Sequence, residues 1–261
     1  MNLKLYQIDA FTNHVFGGNP AAVCILNHWI EASLMQQIAA ENNLAETAFA
    51  VKKNNYFEIR WFTPKVEVNL CGHATLATAH VLFNYYGIID QEIKFHSHLS
   101  GALTVHKLND LLTLNFPTDV IKKVETPHIL TKALGIEPSE TYRGKTDFML
   151  VFENQQIVKN MKPDFQLIEK VGGRGVIVTA KGDKVDFVSR FFGPQVGINE
   201  DPVTGSSHTT LIPYWSKKLG KTKLQALQLS ERIGTLHCEY LNDRVLISGQ
   251  AVTYLVGKIE V

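Results

Sequence analysis

Cysteine is scarce in this chain, and its few copies are not arranged for cross-linking. Only Cys24, Cys71 and Cys238 occur in 261 residues. An odd number at wide spacing argues against a disulfide framework and against a structural zinc site. Cys24 and Cys238 lie in apolar, strand-like stretches, so we expect both to be core residues.

An excess of charge of either sign is lacking too. Lys and Arg number 26 against 25 Asp and Glu, which gives a net charge of +1. Without a basic run, neither nucleic acid nor a membrane surface is an expected partner. No apolar run approaches the length of a bilayer span, and the chain starts with a strand-like pattern rather than a signal peptide. We therefore expect a cytoplasmic protein.

The sequence signatures of common cofactor and metal chemistry are absent. The chain has no Gly-x-Ser-x-Gly elbow, no P-loop, no dinucleotide fingerprint and no His-Glu-x-x-His helix. His96 and His98 alternate on a strand edge, but no third ligand is near them in sequence. The expectation is a protein without a cofactor and without a metal ion.

What the chain does contain is an internal repeat. One copy reads Phe62-Thr-Pro-Lys-Val-Glu-Val-Asn and leads into Cys71-Gly-His-Ala-Thr. The other reads Phe192-Gly-Pro-Gln-Val-Gly-Ile-Asn and leads into Asp201-Pro-Val-Thr-Gly-Ser-Ser-His. A further shift of three residues aligns Gly72 with Gly205. Both copies pass from an extended segment through a Gly into a helical stretch. Two helix starts, each with unpaired backbone N–H groups, could thus face one cleft and bind an anion.

Hydrophobic periodicity predicts a strand-rich α+β protein. Strands are predicted at 3–8, 56–61, 102–108, 111–116, 147–152, 175–179, 185–191, 226–230, 235–240, 244–248 and 251–257. Helices are predicted at 31–42, 73–86, 127–135 and 206–219. The helix at 73–86 is apolar almost all round, which is typical of a buried helix. Pro213 should kink the last helix or end its first segment.

These motifs together resemble the phenazine-biosynthesis (PhzF-like) isomerase family of the diaminopimelate epimerase superfold. The resemblance covers nearly the whole chain and rests on five motifs in order: Asp9-Ala-Phe with Gly18-Asn-Pro-Ala-Ala-Val, Leu44-Ala-Glu-Thr-Ala-Phe, Phe62-Thr-Pro, Leu70-Cys-Gly-His-Ala-Thr and Glu200-Asp-Pro-Val-Thr-Gly-Ser. One departure is Arg232-Ile233-Gly234, where the family usually has Arg-Gly-Gly, so the backbone at Ile233 could differ.

The resemblance implies two pseudo-symmetric lobes, each a strand-rich barrel around a central helix, with the active site between them. We assign residues 1–117 to the first lobe and 118–261 to the second, and the last C-terminal strand could join the first. The resemblance also suggests a homodimer. It implies that Glu46 is the catalytic acid/base, that His73 and Asp201 are catalytic and that Ser206 binds substrate. The backbone at Gly72 and Gly205 would hold the substrate as well.

The residue types suit these roles, although the sequence also allows a purely structural role for several of these residues. A partly desolvated Glu46 could move a proton between carbons, whereas by sequence alone it could be an exposed loop residue. His73 at a helix start should be a neutral imidazole, because the helix dipole disfavours the imidazolium. Asp201 could cap a turn, and Ser206 could be an N-cap while also donating to a carboxylate.

The expected function is therefore a cofactor-independent isomerase that shifts a proton within a small carboxylate, as in the isomerisation of trans-2,3-dihydro-3-hydroxyanthranilate. One alternative is an epimerase or racemase of an amino-acid-like substrate that uses Cys71. Two-thiol racemases need a second cysteine, and Thr204 stands at the matching position, which disfavours that mechanism. Another alternative is a non-catalytic binder of an anionic metabolite.

Overall fold

The chain folds into two compact units. The computed structural model describes all residues, Met1–Val261. One unit comprises Met1–Asn115 with Ser248–Val261, and the other comprises Phe116–Ile247. The C-terminal segment belongs to the first unit because its strand pairs along the whole length of the first strand.

The first unit contains, in chain order, β1 (Asn2–Ala10), β2 (Asn19–Leu26), α1 (Ala32–Asn42), β3 (Glu46–Lys52), β4 (Phe57–Phe62), β5 (Glu67–Val68), α2 (Gly72–Tyr85), β6 (Glu92–Ser97), β7 (Gly101–Leu108) and β8 (Leu111–Pro117). The second contains β9 (Lys122–Lys123), α3 (His128–Leu134), β10 (Glu140–Arg143), β11 (Asp147–Val151), α4 (Gln155–Asn160), α5 (Phe165–Glu169), β12 (Gly175–Lys181), β13 (Phe187–Phe192), α6 (His208–Leu219), β14 (Lys223–Gln228), β15 (Gly234–Tyr240) and β16 (Arg244–Gly249). The chain then returns to the first unit as β17 (Ala251–Glu260).

The strands of the first unit wrap around α2. β1 pairs with β17 and β2, and the order continues through β3, β4, β6 and β7. α2 packs against β1, β2 and β3, and also against β17 and β7. Its side chains are buried on every face along its first ten residues, with the exception of Gly72 and His80. This confirms the buried central helix that its apolar composition predicts. α1 packs outside the strands on β3 and β4.

The second unit repeats the strand pairing of the first. From β1 to β7 through β2, β3, β4 and β6, the successive pairs are antiparallel, parallel, antiparallel, parallel and antiparallel. From β10 to β15 in sequence order, the five pairs follow the same series. α2 lies between β5 and β6 in the chain, and α6 lies between β13 and β14. The α+β fold with two similar units is thus confirmed, and the sequence repeat marks equivalent points of the two.

Most predicted elements agree with the structure to within a few residues. Two short helices, α4 and α5, were not predicted, because five or six residues are too few to establish a helical period. The predicted strand at 226–230 lies at Lys223–Gln228. The predicted helix at 206–219 begins as a 3₁₀ turn at Gly205–Ser207 before α6 starts.

From the sequence we expected Pro213 either to kink the last helix or to end its first segment. α6 does not end at Pro213. A proline lacks the N–H that would bond to the carbonyl four residues earlier, here that of Thr209. That carbonyl instead accepts a hydrogen bond from the Asp119 N–H at 3.2 Å. The Thr210 hydroxyl donates to the Asp119 carboxylate at 2.9 Å. The loop before β9 therefore satisfies the group that the proline leaves unpaired.

Candidate active site

Glu46 is the first residue of β3 and lies beside Ala21 of β2 in register. The preceding helix α1 ends at Asn42, and the C-cap residue Asn43, whose φ is 47°, turns the chain out of the helix. From Thr47 to Val51 the strand is buried, which fixes the position of its first residue. The Glu46 side chain is 13% exposed. The structure therefore contradicts the plainer reading of Glu46 as an exposed loop residue.

His73 lies in the first turn of α2, within contact distance of Glu46. Its Nε2 is 3.2 Å from Glu46 Oε2, and its side chain is 6% exposed. The other ring nitrogen, Nδ1, is 3.5 Å from Cys71 Sγ and 3.2 Å from Asn19 Nδ2. Glu46 Oε2 is buried and makes no hydrogen bond of acceptable geometry. We therefore treat the contact between His73 and Glu46 as an ion pair by distance.

The surroundings of His73 favour its charged form. Burial lowers the pKa of His73, but the charges of Cys71 and Glu46 outweigh it and raise that pKa well above its ordinary value. Burial raises the pKa of the Cys71 thiol to about 11. At neutral pH the Cys71 thiol keeps its proton, so its charge is absent and Glu46 is the charge that opposes burial and the helix dipole. The expectation of a neutral His73 considered the helix dipole without this carboxylate.

Asn19 joins this group through a tight turn. It begins β2 and is fully buried. The preceding Gly18 has a φ of +60°, and a Cβ there would lie 2.1 Å from the Ala10 carbonyl oxygen. Only glycine fits such a turn. Gly18 therefore fixes where Asn19 meets His73.

In the second unit, Asp201 and Thr204 are tied to Gln228. The Thr204 hydroxyl donates to Asp201 Oδ2 at 2.5 Å. Gln228 Oε1 accepts from the Thr204 N–H at 2.8 Å, and Gln228 Nε2 donates to the Asp201 carbonyl at 2.8 Å. These bonds hold the chain in the extended conformation that precedes the 3₁₀ turn at Gly205–Ser207.

Ser206 lies in that turn and contacts a guanidinium group. Arg174 Nη1 donates to Ser206 Oγ at 2.7 Å. Arg174 Nε donates to Asp147 Oδ1 at 3.0 Å, and Nη2 also bonds to the other oxygen of Asp147. Thr204, not Ser206, occupies the N-cap position of the turn, so the capping reading of Ser206 is wrong. Its hydroxyl accepts from Arg174 and can still donate.

The two halves of the sequence repeat have corresponding local geometry. Cys71 precedes α2 with φ −139° and ψ 109°, and Thr204 precedes its turn with φ −105° and ψ 93°. Neither side chain caps the helical segment that follows. Gly72 and Gly205 then begin these segments, and His73 and Ser206 come second. Each unit therefore presents the uncapped first turn that an anion-binding role requires.

Comparison with known proteins places the chain in a family. The family model described as phenazine biosynthesis-like protein (PhzC-PhzF) matches residues 8–257. An uncharacterised isomerase of Pseudomonas aeruginosa is 46% identical over 259 residues, covering 99% of both chains. A crystal structure of a PhzF-family protein from Enterococcus faecalis has a TM-score of 0.97 at 46% identity and covers 100% of both chains. The chain belongs to the PhzC-PhzF family.

Within this family the chain is an isomerase, as the resemblance of its sequence motifs implies. Further PhzF-like relatives occur beyond bacteria, since a phenazine biosynthesis-like domain-containing protein of Mus musculus is 39% identical over 287 residues and 99% of both chains. A predicted epimerase of Pseudomonas aeruginosa shares the fold with a TM-score of 0.74 at 18% identity, covering 99% of both chains. Because relatives at 45–48% identity are named isomerases, the non-catalytic binder is set aside. No helix of this PhzF-like isomerase is long and apolar enough to cross a membrane.

Sequence reasoning missed three polar residues of these two clusters. Asn19 belongs to the motif Gly18-Asn-Pro but was given no role, although a buried asparagine beside a tight turn needs partners. Arg174 and Gln228 are 32 and 24 positions from their partners Ser206 and Thr204. No local pattern could have linked them.

Proposed function

We propose that this PhzF-like isomerase shifts a proton within a small carboxylate substrate and that Glu46 is the acid/base that carries it. One observation supports this most directly: the Glu46 carboxylate lies 3.2 Å from the ring of His73 at the start of a buried helix. A carboxylate can accept a proton from an acidic C–H bond, and a protonated imidazole can stabilise the negative charge that develops.

The proposed reaction returns the proton that it removes. Glu46 takes it from one carbon and delivers it to another on the same face, so the substrate isomerises without net loss or gain of atoms. This cycle calls for no cofactor and no metal ion, and their absence from the reaction is part of the proposal. His73 and Asp201 would orient the polar groups of the substrate.

The backbone at Gly72 and Gly205 and the hydroxyl of Ser206 would bind the substrate carboxylate. Arg174, which donates to Ser206, adds positive charge beside that hydroxyl. Backbone N–H groups at uncapped helix starts and a guanidinium group are the usual partners of a carboxylate. That both helix starts serve one substrate is a proposal that rests on the sequence repeat and the family resemblance.

Proton NMR in D₂O tests the role of Glu46. The protein would be incubated with trans-2,3-dihydro-3-hydroxyanthranilate and with a panel of small carboxylates. We expect conversion or deuterium exchange at carbon for the wild type, and a loss of about 10²- to 10⁴-fold in Glu46→Gln. The control is Glu92→Gln, which removes a partly exposed carboxylate that pairs with Lys94 and His106 on β6 and β7. Full activity in Glu46→Gln would refute the proposal.

The alternative is an epimerase that uses Cys71 as the acid or base. The thiol is 3.5 Å from His73 Nδ1, which gives it a partner for proton transfer. Its pKa of about 11 favours the thiol over the reactive thiolate, and this weighs against the alternative. Stereochemical inversion of a substrate, lost in Cys71→Ser and kept in Glu46→Gln, would establish the epimerase instead.

We also propose a cytoplasmic homodimer. Large apolar side chains are exposed on the first unit, among them Phe16 at 69%, Tyr254 at 48% and Val256 at 46%. Exposed apolar groups of this kind favour association with a second copy. Sedimentation velocity at micromolar concentration would show twice the chain mass of 29.3 kDa for a dimer, and a single 29.3 kDa species would disprove it.

A further inference from the structure

The imidazole ring of His73 has a polar neighbour at each of its two nitrogens. Nε2 is 3.2 Å from Glu46 Oε2, and Nδ1 is 3.2 Å from the amide nitrogen of Asn19. A half-turn about the Cβ–Cγ bond puts a carbon where each nitrogen was and hardly alters the shape of the ring. The polar neighbours therefore select the orientation in which Nε2 faces the carboxylate.

Two side chains compete as the partner of Nδ1. Asn19 Nδ2 is 3.2 Å away, and Cys71 Sγ is 3.5 Å away. Burial raises the pKa of Cys71 to about 11, so this neighbour is a thiol at neutral pH, and a thiol is a weak donor and a weak acceptor. An amide can present its nitrogen to an unprotonated Nδ1 or its oxygen to a protonated one. Asn19 is thus the stronger partner and suits both charge states of the ring.

The position of Asn19 is fixed by the same pair of strands that positions Glu46. Asn19 begins β2 and is fully buried, and Ala21, two residues later, lies beside Glu46 of β3 in register. Because side chains alternate along a strand, Asn19 and Ala21 point to the same face of the sheet. α2, which carries His73, packs against both strands. Two neighbouring strands therefore hold the two partners of the ring.

The second unit anchors the corresponding side chain from the corresponding strand. Asp147 is the first residue of β11, as Asn19 is of β2, and it is buried as well. Asp147 bonds to Arg174, which donates to Ser206 Oγ at 2.7 Å. Ser206 and His73 are each the second residue of their helical segment. In both units, a buried polar residue at the start of the equivalent strand thus holds this side chain, directly or through one arginine.

We propose that Asn19 is a positioning residue whose amide holds His73 by Nδ1 and keeps Nε2 toward Glu46. Asn19 acts through His73 and transfers no proton itself. The consequence for turnover rests on the proposed function, in which the imidazole stabilises negative charge beside Glu46. Without the amide, a charged ring would bury an N–H that has only the thiol as a neighbour, so the pKa of His73 should fall.

Nitrogen-15 NMR of the histidine rings of the intact protein tests this contact without substrate. The His73 signals are assigned by their absence in His73→Gln. Asn19→Leu has a similar size and no polar group, so the titration midpoint of His73 should move to lower pH. Asn19→Asp places a negative charge at Nδ1 and should move it to higher pH. The control Asn84→Leu removes an exposed amide 3.3 Å from His80 Nδ1 on the same helix and should leave the His73 midpoint unchanged.

Steady-state kinetics on the substrate found by NMR in D₂O measures the consequence for catalysis. Asn19→Leu should lower kcat about 10- to 100-fold and change KM by less than about twofold. If that variant does not fold, the midpoint in Asn19→Asp decides the question, because this substitution retains the size of the side chain and a partner for Nδ1. A purely structural role would move neither the midpoint nor kcat in a folded variant.

An unmoved His73 midpoint in the folded Asn19 variants overturns the proposal, and so does an increase of KM in Asn19→Leu as large as its loss of kcat. The proposed function fails separately. A moved midpoint together with full activity in Glu46→Gln would refute the role of Glu46 and leave the contact between Asn19 and His73 standing. An unmoved midpoint together with an inactive Glu46→Gln would refute the role of Asn19 alone.

Discussion

Ser206 is the side chain of the second unit that we propose to hold a substrate carboxylate. Its oxygen accepts from Arg174 Nη1 at 2.7 Å, which orients the hydroxyl and polarises its proton. The guanidinium is itself held by the buried Asp147. A guanidinium group that is paired with a carboxylate is rigid, so the Ser206 hydroxyl is oriented before the substrate binds.

Ser206→Ala should therefore raise KM more than it lowers kcat. The loss of one hydrogen bond to a charged group corresponds to about 1.5–3 kcal/mol, or about 10- to 100-fold in affinity. Steady-state kinetics on the substrate identified by NMR would measure it. The matched control is Ser207→Ala, whose hydroxyl donates to the Thr204 carbonyl at 2.8 Å. That control should cost about 1 kcal/mol of stability and leave KM unchanged. Equal KM values in Ser206→Ala and wild type would remove Ser206 from binding.

Ile233 holds a backbone conformation that normally belongs to glycine. Its φ is 54°, and the family resemblance implies a glycine, the middle residue of Arg-Gly-Gly, at this position. The backbone has the glycine-like conformation despite a β-branched side chain, which costs about 1–2 kcal/mol. The side chain is 47% exposed, so its burial offsets only part of this cost.

Ile233→Gly should stabilise the protein by about 0.5–1 kcal/mol, because relief of strain exceeds the added entropy of the unfolded chain. Urea unfolding at neutral pH would measure the change. Val120→Gly is the control, since Val120 is 77% exposed and is not among the residues with positive φ. It should destabilise by a similar amount. Destabilisation by Ile233→Gly would show that the side chain contributes more than its conformation costs.

α6 shows how an element can carry a proline in its interior. The Thr209 carbonyl, left without its helical partner by Pro213, accepts the Asp119 N–H instead. The loop before β9 therefore supplies the hydrogen-bond donor that α6 lacks, within the second unit. A proline in an exposed helix interior costs about 3 kcal/mol, but most of that arises from the unpaired carbonyl and the clash around it.

Pro213→Ala should change stability by less than about 1 kcal/mol, because the new N–H would compete with Asp119 for a carbonyl already bonded. Thermal and urea unfolding would measure this. Because the donor to the Thr209 carbonyl is the backbone N–H of Asp119, Asp119→Ala keeps that bond and removes only the carboxylate, so it should destabilise the wild type and Pro213→Ala equally. A gain near 3 kcal/mol in Pro213→Ala alone would show that the loop contact compensates nothing.

At the scale of the molecule, one buried and one half-buried histidine make stability depend on pH. Burial lowers the pKa of His208 in the second unit to about 4, against a small opposing effect of its bond to the Thr204 carbonyl. Burial, with the charge of Lys107, lowers the pKa of His80 in the first unit to about 4. The ordinary value is 6.5 for both. Between these values the unfolded chain binds protons that the folded chain does not.

As far as these two histidines decide it, the free energy of unfolding should therefore have its full value above pH 6.5 and decrease as the pH drops toward about 4. Each histidine contributes a slope of up to about 1.4 kcal/mol per pH unit. His73 does not oppose this, because its pKa is raised and its stabilisation is lost only as the pH rises. Urea unfolding from pH 7 to 4 would measure the slope, and His208→Asn should remove about half of it. A slope unaltered in His208→Asn would contradict the assignment.

The sequence by itself determined the repeat, the class of fold and the positions of the two helix starts. These follow from local causes: an apolar helix of fourteen residues is buried whatever surrounds it, and a Gly after an extended segment starts a helix in both halves. Family motifs then directed attention to Glu46, His73, Asp201 and Ser206. Short helices such as α4 remained unseen because the pattern was too brief.

Only the tertiary structure decided which charges meet. Whether His73 of α2 is neutral or charged depends on Glu46, which comes from β3 of the same unit and lies 3.2 Å away. Arg174 reaches Ser206, and the Asp119 N–H reaches the carbonyl freed by Pro213, through contacts between residues far apart in the chain. Electrostatic and hydrogen-bond energies depend on distances between side chains, and local sequence patterns do not contain those distances.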